Sequence, residues 1–149
     1  MSDRSIEFIA RGLVIREGRV LLCKNIKHGY FFLPGGHVEF GETAEAALAR
    51  EFKEEAAIEV RCGGVALVAE HLFERKKGPC HEVNVVFHVE LHEKEFKSRE
   101  PKIAFEWADL AEISERDLRP TCIKAWLVAG GRATQPISWI SERVLHVER

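Results

Sequence analysis

The chain has 149 residues, 46% hydrophobic and 31% charged, with 22 Lys and Arg against 24 Asp and Glu. That length and apolar content suit one packed domain spanning 1–149 and argue against pervasive disorder. A net charge of −2 argues against strong nucleic-acid binding and against capture by an anionic membrane, but a small phosphorylated ligand needs only local charge.

Cys23, Cys62, Cys80 and Cys122 contain no C-x-x-C pair, and a chain this rich in apolar residues needs no disulfide scaffold. Reduced, mostly buried thiols are expected. The opening MSDRSIEF lacks an apolar signal run, and the longest apolar run, 65–69, falls far short of the ~18 residues of a membrane span. A soluble cytoplasmic protein is the expectation.

In chain order, 6–15 and 19–23 read as two strands joined by a tight turn at Glu17-Gly18. The aromatic run 30–33 reads as a strand, and Pro34-Gly35-Gly36 as the end of regular structure. Residues 43–56 form the clearest helix: five alanines, Leu48, Phe52 and several Glu, with no Gly or Pro inside. Thr43 or Glu42 can supply its N-terminal oxygen. Residues 59–73 read as one or two strands interrupted at Gly63-Gly64, and 74–79 as a polar turn. Residues 81–92 alternate, with Val83, Val85, Phe87, Val89 and Leu91 on one face. A charged loop at 92–102 leads to a short strand at 103–107. A helix within 117–129 ends at Gly130-Gly131. Residues 136–147 are apolar enough to pack but ambiguous in type. This order predicts an α+β fold with a mixed β-sheet.

The 43–56 helix carries an unfavourable cluster. At 100° per residue, Glu51, Glu54 and Glu55 share an arc of roughly 100°, beside the apolar stripe of Leu48, Phe52 and Ala56. Glu51 and Glu55 are a like-charge i,i+4 pair, and all three acids stand near the helix C-terminus, where the dipole disfavours them. Arg50 offsets part of this through Glu54. A hard divalent cation, Mg²⁺ or Mn²⁺, neutralises such a cluster well. An arbitrary E-x-x-E-E on a helix is more often a solvated acidic face; the preceding Gly-Gly turn shifts the balance, because glycines let backbone approach a metal or phosphate.

The segment from Gly36 to Ile58 resembles the signature of the Nudix hydrolases, G-x5-E-x7-R-E-U-x-E-E-x-G-U, with U a bulky apolar residue. Gly36, Glu42, Arg50, Glu51, Phe52, Glu54, Glu55 and Ile58 fill it, and Ala57 replaces the last Gly. That Gly would serve as the left-handed residue after the helix; Ala there costs about 1 kcal/mol but removes no ligand atom. The resemblance implies an α/β/α sandwich over nearly the whole chain and metal-assisted attack of water on the diphosphate of a nucleoside diphosphate linked to a group X. It implies Glu51, Glu54 and Glu55 as metal ligands and Glu42 and Arg50 as residues holding them. A carbonyl of Gly35 or Gly36 is implied as a further ligand, with two or three divalent ions. Family members often add an acid from outside the signature; Glu70, Glu82, Glu100 and Glu106 are available, with Glu100 favoured for its place in a loop before a strand.

For substrate contact, Tyr30 and Phe31 are the stacking candidates and His37 abuts the Gly-Gly turn, while Arg11 and Lys24 are the cations a Nudix-like sheet would place near the pocket. Phe32, Phe73 and Trp107 are expected in the core, and Arg75 to Lys77 in a solvated turn. The downstream marks of the ADP-ribose and dinucleoside polyphosphate subtypes are absent: Phe73, Glu74, Arg75 and Lys76 stand there. Nucleotide triphosphates, nucleotide sugars and RNA 5′ ends stay open. The alternative is a Nudix-like module that binds nucleotide without turnover. Family habit and the frequency of two-fold oligomers make a homodimer the expected assembly.

Overall fold

The computed structural model describes residues 4–93, 95–131 and 137–142. Its strands are β1 (Ile6–Leu13), β2 (Ile15–Arg16), β3 (Arg19–Asn25), β4 (Phe31–Phe32), β5 (Gly35–His37), β6 (Arg61–Arg75), β7 (Gly78–Glu90) and β8 (Ile103–Asp109). Its α-helices are α1 (Ala44–Ala56) and α2 (Thr121–Val128), with a 3-10 helix at Leu110–Glu115.

Two four-stranded sheets form. The first runs β5-β1-β7-β6 and is mixed: β1 lies parallel to β7, and its other pairs are antiparallel. In the second, β3 lies between β4 and β8 and also pairs with β2. The α+β sandwich expected from the sequence is present. The core has two halves. On one side α1 lays Ala47, Leu48, Phe52 and Ala56 against Ala10, Val85 and Phe87. On the other, Ile123 and Leu127 of α2 pack with Leu13, Val86, Leu22 and Phe31. β7 is buried on both faces, which is why apolar Val86 interrupts its polar face.

Helix α1 starts as its sequence dictates, with the Thr43 hydroxyl accepting from the Ala46 N–H at 3.1 Å. It ends at Ala57, which takes the left-handed conformation (φ 56°, ψ 32°) and donates its N–H to Lys53 O. The Glu17-Gly18 turn also forms, with both residues at positive φ.

Four expectations need correction. The thiols are free but not mostly buried: Cys23 is buried, Cys62 and Cys80 are half-buried and Cys122 is exposed. Gly35 and Gly36 do not end regular structure; with His37 they form β5 along β1, in the register Ile9↔His37, Ala10↔Gly36, Arg11↔Gly35. Gly35 has φ +143°, and a Cβ there would stand 2.0 Å from Ala10 O, so only glycine lets β5 approach this closely. Gly63-Gly64 does not divide β6; the strand continues through with register shifts. The polar 74–79 segment is mostly strand, and only Lys76 and Lys77 turn the hairpin, with Arg75 opposite Gly78. Part of the ambiguous C-terminal stretch, 136 and 143–147, lies outside the described residues. Within it Trp139 stacks on Phe8 and meets the edge of Phe87. No helix among the described residues is long and apolar enough to cross a membrane.

Candidate functional site

β5 and α1 meet at Gly36. The Glu51 carboxylate lies against the Gly36 Cα, where a Cβ would stand 2.5 Å from Glu51 Oε1. Arg50 organises the surrounding charge. Its Nη2 and Nε donate to the two Glu42 oxygens at 2.7 and 3.1 Å, and Nη1 donates to Glu51 Oε1 at 3.0 Å and Glu54 Oε2 at 3.3 Å. Nη2 also donates to the carbonyl of His37 at 3.0 Å, which ties the helix to β5. The paired, two-point contact holds Glu42 below the usual carboxylate range and Arg50 above its own.

Glu55, one turn beyond Glu51, is the strained member. Burial pushes its carboxyl up to about 8, reinforced by the Glu51 charge, a hydrogen bond shared with Glu51 and the charge of Glu100; Arg11 opposes the shift. Glu100 comes near because the Arg99 N–H donates to the Glu55 backbone carbonyl at 2.6 Å, docking the 92–102 loop on the end of α1. Glu54 points outward at 60% exposure, toward Arg50. Among the described residues no three His, Cys, Asp or Glu side chains converge on one point. The structure gathers Glu51 with Glu55, brings Glu100 near them, and leaves Glu54 apart, on Arg50. This donor set still fits a hard divalent cation: all are carboxylates, Glu55 is crowded by the charges of Glu51 and Glu100, and the bare Cα of Gly36 leaves space beside them.

On the other side of β5 opens a cleft of about 650 Å³, lined by Arg11, Tyr30, Phe32, Gly35, Gly36 and His37 on the near side. Arg11 spans its floor, donating from Nε to Asn84 Oδ1 at 2.8 Å and from Nη1 to Leu33 O at 2.9 Å. Desolvation lowers its pKa. His37 meets Glu7 at 3.1 Å.

Two proposed contacts fall elsewhere. Phe31 is 7% exposed and belongs to the core, with Lys24 at 5.7 Å and Arg116 at 5.0 Å over its ring. Lys24 pairs with Phe31 across the β3–β4 ladder and so shares its face, away from the cleft lining. The neighbouring Phe32 lines the cleft instead. Of the other acids considered, Glu70 meets His81 at 3.0 Å and Glu106 meets Arg116 at 2.6 Å, whereas Glu82 lines the cleft.

The sequence reading missed the far wall. His71, Phe73 and Arg75 of β6, with Arg119 before α2, complete the cleft. His71 and Phe73 stack at 4.4 Å, and Arg75 lies 5.0 Å from the Phe73 ring centre. Arg119 lies 4.4 Å over Tyr30. The period-2 spacing of His71, Phe73 and Arg75 was the available signal.

Residues 7–127 match the model of the NUDIX domain. An ADP-ribose pyrophosphatase of Methanocaldococcus jannaschii is 32% identical over 105 residues, 68% of this chain and 61% of its own length. The chain therefore spans less than two thirds of that relative. A MutT NUDIX hydrolase from Burkholderia pseudomallei superposes with a TM-score of 0.70 at 26% identity, covering 84% of this chain and 99% of its own. A MutT protein from Methanosarcina mazei superposes equally well, TM-score 0.70, at 22% identity over 87% of this chain and 95% of its own.

Proposed function

The chain belongs to the NUDIX family, and from that premise we propose that it is a divalent-metal-dependent pyrophosphohydrolase, with Mg²⁺ or Mn²⁺ held at Glu51, Glu54 and Glu55. The substrate is a nucleoside diphosphate linked to another group, bound in the cleft beside β5. The observation that carries this reading is the Gly36–Glu51–Glu55 arrangement. A crowded carboxylate pair lies under a backbone kept bare by glycine, braced by Arg50, next to a cleft lined with aromatic and cationic side chains. The M. jannaschii relative bears the name of an enzyme of this chemistry.

In this reading each residue has a physical task. Glu51 and Glu55, joined by Glu54 on its flexible stem, supply oxygen ligands, with Glu100 and the carbonyls of Gly35 or Gly36 as further donors. When bound, such an ion offsets phosphate charge and lowers the pKa of water. Arg50 and Glu42 hold the carboxylates in register with β5, so little reorganisation accompanies reaction. Arg11, half-buried and facing both the cleft and Glu55, binds the phosphate nearest the nucleoside. Tyr30 supplies an aromatic face and His37 a polar edge.

A turnover screen tests it. The protein is incubated with Mg²⁺ or Mn²⁺ and nucleoside triphosphates, nucleotide sugars, ADP-ribose, dinucleoside polyphosphates and triphosphorylated RNA, and the phosphorus products are identified. Cleavage of a diphosphate linkage that stops on chelation is expected. Silence across the panel, with nucleotide and metal still bound, would support the non-catalytic binding module instead.

A further inference from the structure

Asn84 is 0% exposed, the most deeply buried polar residue among those described. It stands on β7 with Ile9 beside it on β1, Ala69 beside it on β6 and Val86 two residues along, all three buried. An apolar side chain would suit that setting. The amide instead accepts at Oδ1 from the Arg11 Nε–H at 2.8 Å, while its Nδ2 has no hydrogen-bond partner among the described residues. The reverse orientation would set an amide N–H against a guanidinium N–H, so Arg11 fixes which way the amide lies. A buried donor without a partner weakens a fold. Packing therefore does not explain Asn84, and its contact with Arg11 does.

Arg11 needs such a partner. Of its five N–H groups, Nε–H goes to Asn84 and one on Nη1 goes to the Leu33 carbonyl at 2.9 Å. The other three have no acceptor among the described residues. Arg11 lines the cleft with Phe32, whose ring centre lies 5.9 Å from Cζ. Burial lowers the Arg11 pKa, and the charges of Glu82 and Glu55 oppose that shift. Neither carboxylate accepts a hydrogen bond from Arg11; the two acceptors that do, Asn84 Oδ1 and Leu33 O, are neutral. A carboxylate at position 84 would make the same hydrogen bond more strongly, but would add a third negative charge around the guanidinium.

Resting on the phosphate-binding role given to Arg11 above, we propose that Asn84 is a positioning residue for that contact. Its amide oxygen holds the Arg11 guanidinium in the cleft floor with three N–H groups left for a phosphate. Its neutrality leaves the guanidinium charge to that phosphate. Without Asn84 the side chain turns onto Glu82 or Glu55 and meets the ligand misoriented and partly neutralised.

Two variants separate this from a packing role. Asn84→Leu matches the amide in shape and removes both the oxygen and the unpartnered Nδ2. Asn84→Asp restores the acceptor but brings a charge. Each is compared with the natural chain by thermal melting and by the Arg11 Nε–H signal in heteronuclear NMR, identified by its loss in Arg11→Lys. Affinity is read by calorimetric titration of inorganic pyrophosphate in chelator. In Asn84→Leu the melting temperature should hold or rise, the Arg11 signal should be lost to solvent exchange, and pyrophosphate should bind about tenfold more weakly. Asn84→Asp should keep the Arg11 signal and still bind pyrophosphate about tenfold more weakly. A packing role predicts a lower melting temperature with unchanged affinity. Natural affinity in either folded variant, or no pyrophosphate binding by the natural chain, would overturn the assignment. If one variant fails to fold the other decides, and failure of both would mark Asn84 as a residue of the core, against the proposal. The titration needs no turnover. A chain inactive across the nucleotide panel whose variants follow this pattern loses the hydrolase reading and keeps this one; an active chain with indifferent variants does the opposite.

Discussion

The carboxylate of Glu51 rests on the α-carbon of Gly36, leaving no room for a Cβ between them. The neighbouring Gly35 is equally intolerant for a different reason: its missing Cβ faces the backbone of Ala10 at 2.0 Å. The two glycines therefore separate site from scaffold. In Gly36→Ala the obstacle is the end of a side chain, which can shift. The fold and melting temperature should hold while Mn²⁺ affinity and turnover fall about 10- to 100-fold. In Gly35→Ala the obstacle is backbone, and stability should fall by about 2 kcal/mol or more. Denaturant unfolding together with Mn²⁺ titration separates the two outcomes.

Glu55 gives the metal-free protein a pH dependence of unusual sign. Its carboxyl titrates near 8 when folded and near the ordinary 4.5 when unfolded. Between those values the unfolded chain releases a proton that the folded chain keeps. The Glu55 contribution to stability is therefore greatest at low pH and is lost as pH rises toward 8. Metal binding, which needs the ionised form, should release protons at pH 7 and tighten toward pH 8. The check compares natural chain and Glu55→Gln in chelator across pH: the variant should lose this fall in stability. Parallel curves would show that Glu55 is not strained.

Ala57 occupies a left-handed position at the end of α1 and is exposed there. Ala57→Gly removes the Cβ conflict but frees the unfolded chain, so a net gain of up to about 1 kcal/mol is expected. Turnover should be unchanged, since no ligand atom is altered. Chemical denaturation measures the first and a steady-state assay the second.

Arg50 contacts Glu42, Glu51, Glu54 and the His37 carbonyl at once. Only a planar, forked cation does this, so Arg50→Lys keeps the charge but loses the geometry. Turnover should fall about 10- to 100-fold, with metal affinity weakened in parallel. Retention of full activity in Arg50→Lys would mean that charge alone suffices.

Helix α1 was legible in the sequence because everything that makes it a helix lies inside it: Thr43 to cap, alanines to propagate, and the Leu48–Phe52–Ala56 stripe to bury. The positions of Arg50, Glu51, Glu54 and Glu55 followed from that one element. β5 was not legible. Two glycines and a histidine have no strand preference of their own, and their conformation comes from the β1 partner. The exchange of Phe31 for Phe32 has a related cause. Alternation says which residues share a face, but the register of β4 on β3 decides which face is core, and Lys24 follows Phe31. His71 and Phe73 reach the cleft through the pairing His71↔Glu82 and Phe73↔Cys80, reached only after two register shifts near Cys62 and Val65. No local pattern encodes that pairing.

In the function proposed above, α1 carries the metal-assisted chemistry through its carboxylates. The most direct measurement is the Mg²⁺- or Mn²⁺-dependent turnover of the best nucleotide substrate by the natural chain, Glu54→Gln and Glu55→Gln, each confirmed folded by circular dichroism. The expected result is a loss of about two orders of magnitude or more in each variant, with the apo melting temperature unchanged or raised because like-charge repulsion is relieved. Near-natural turnover in either variant would contradict the assignment of α1 as the metal platform.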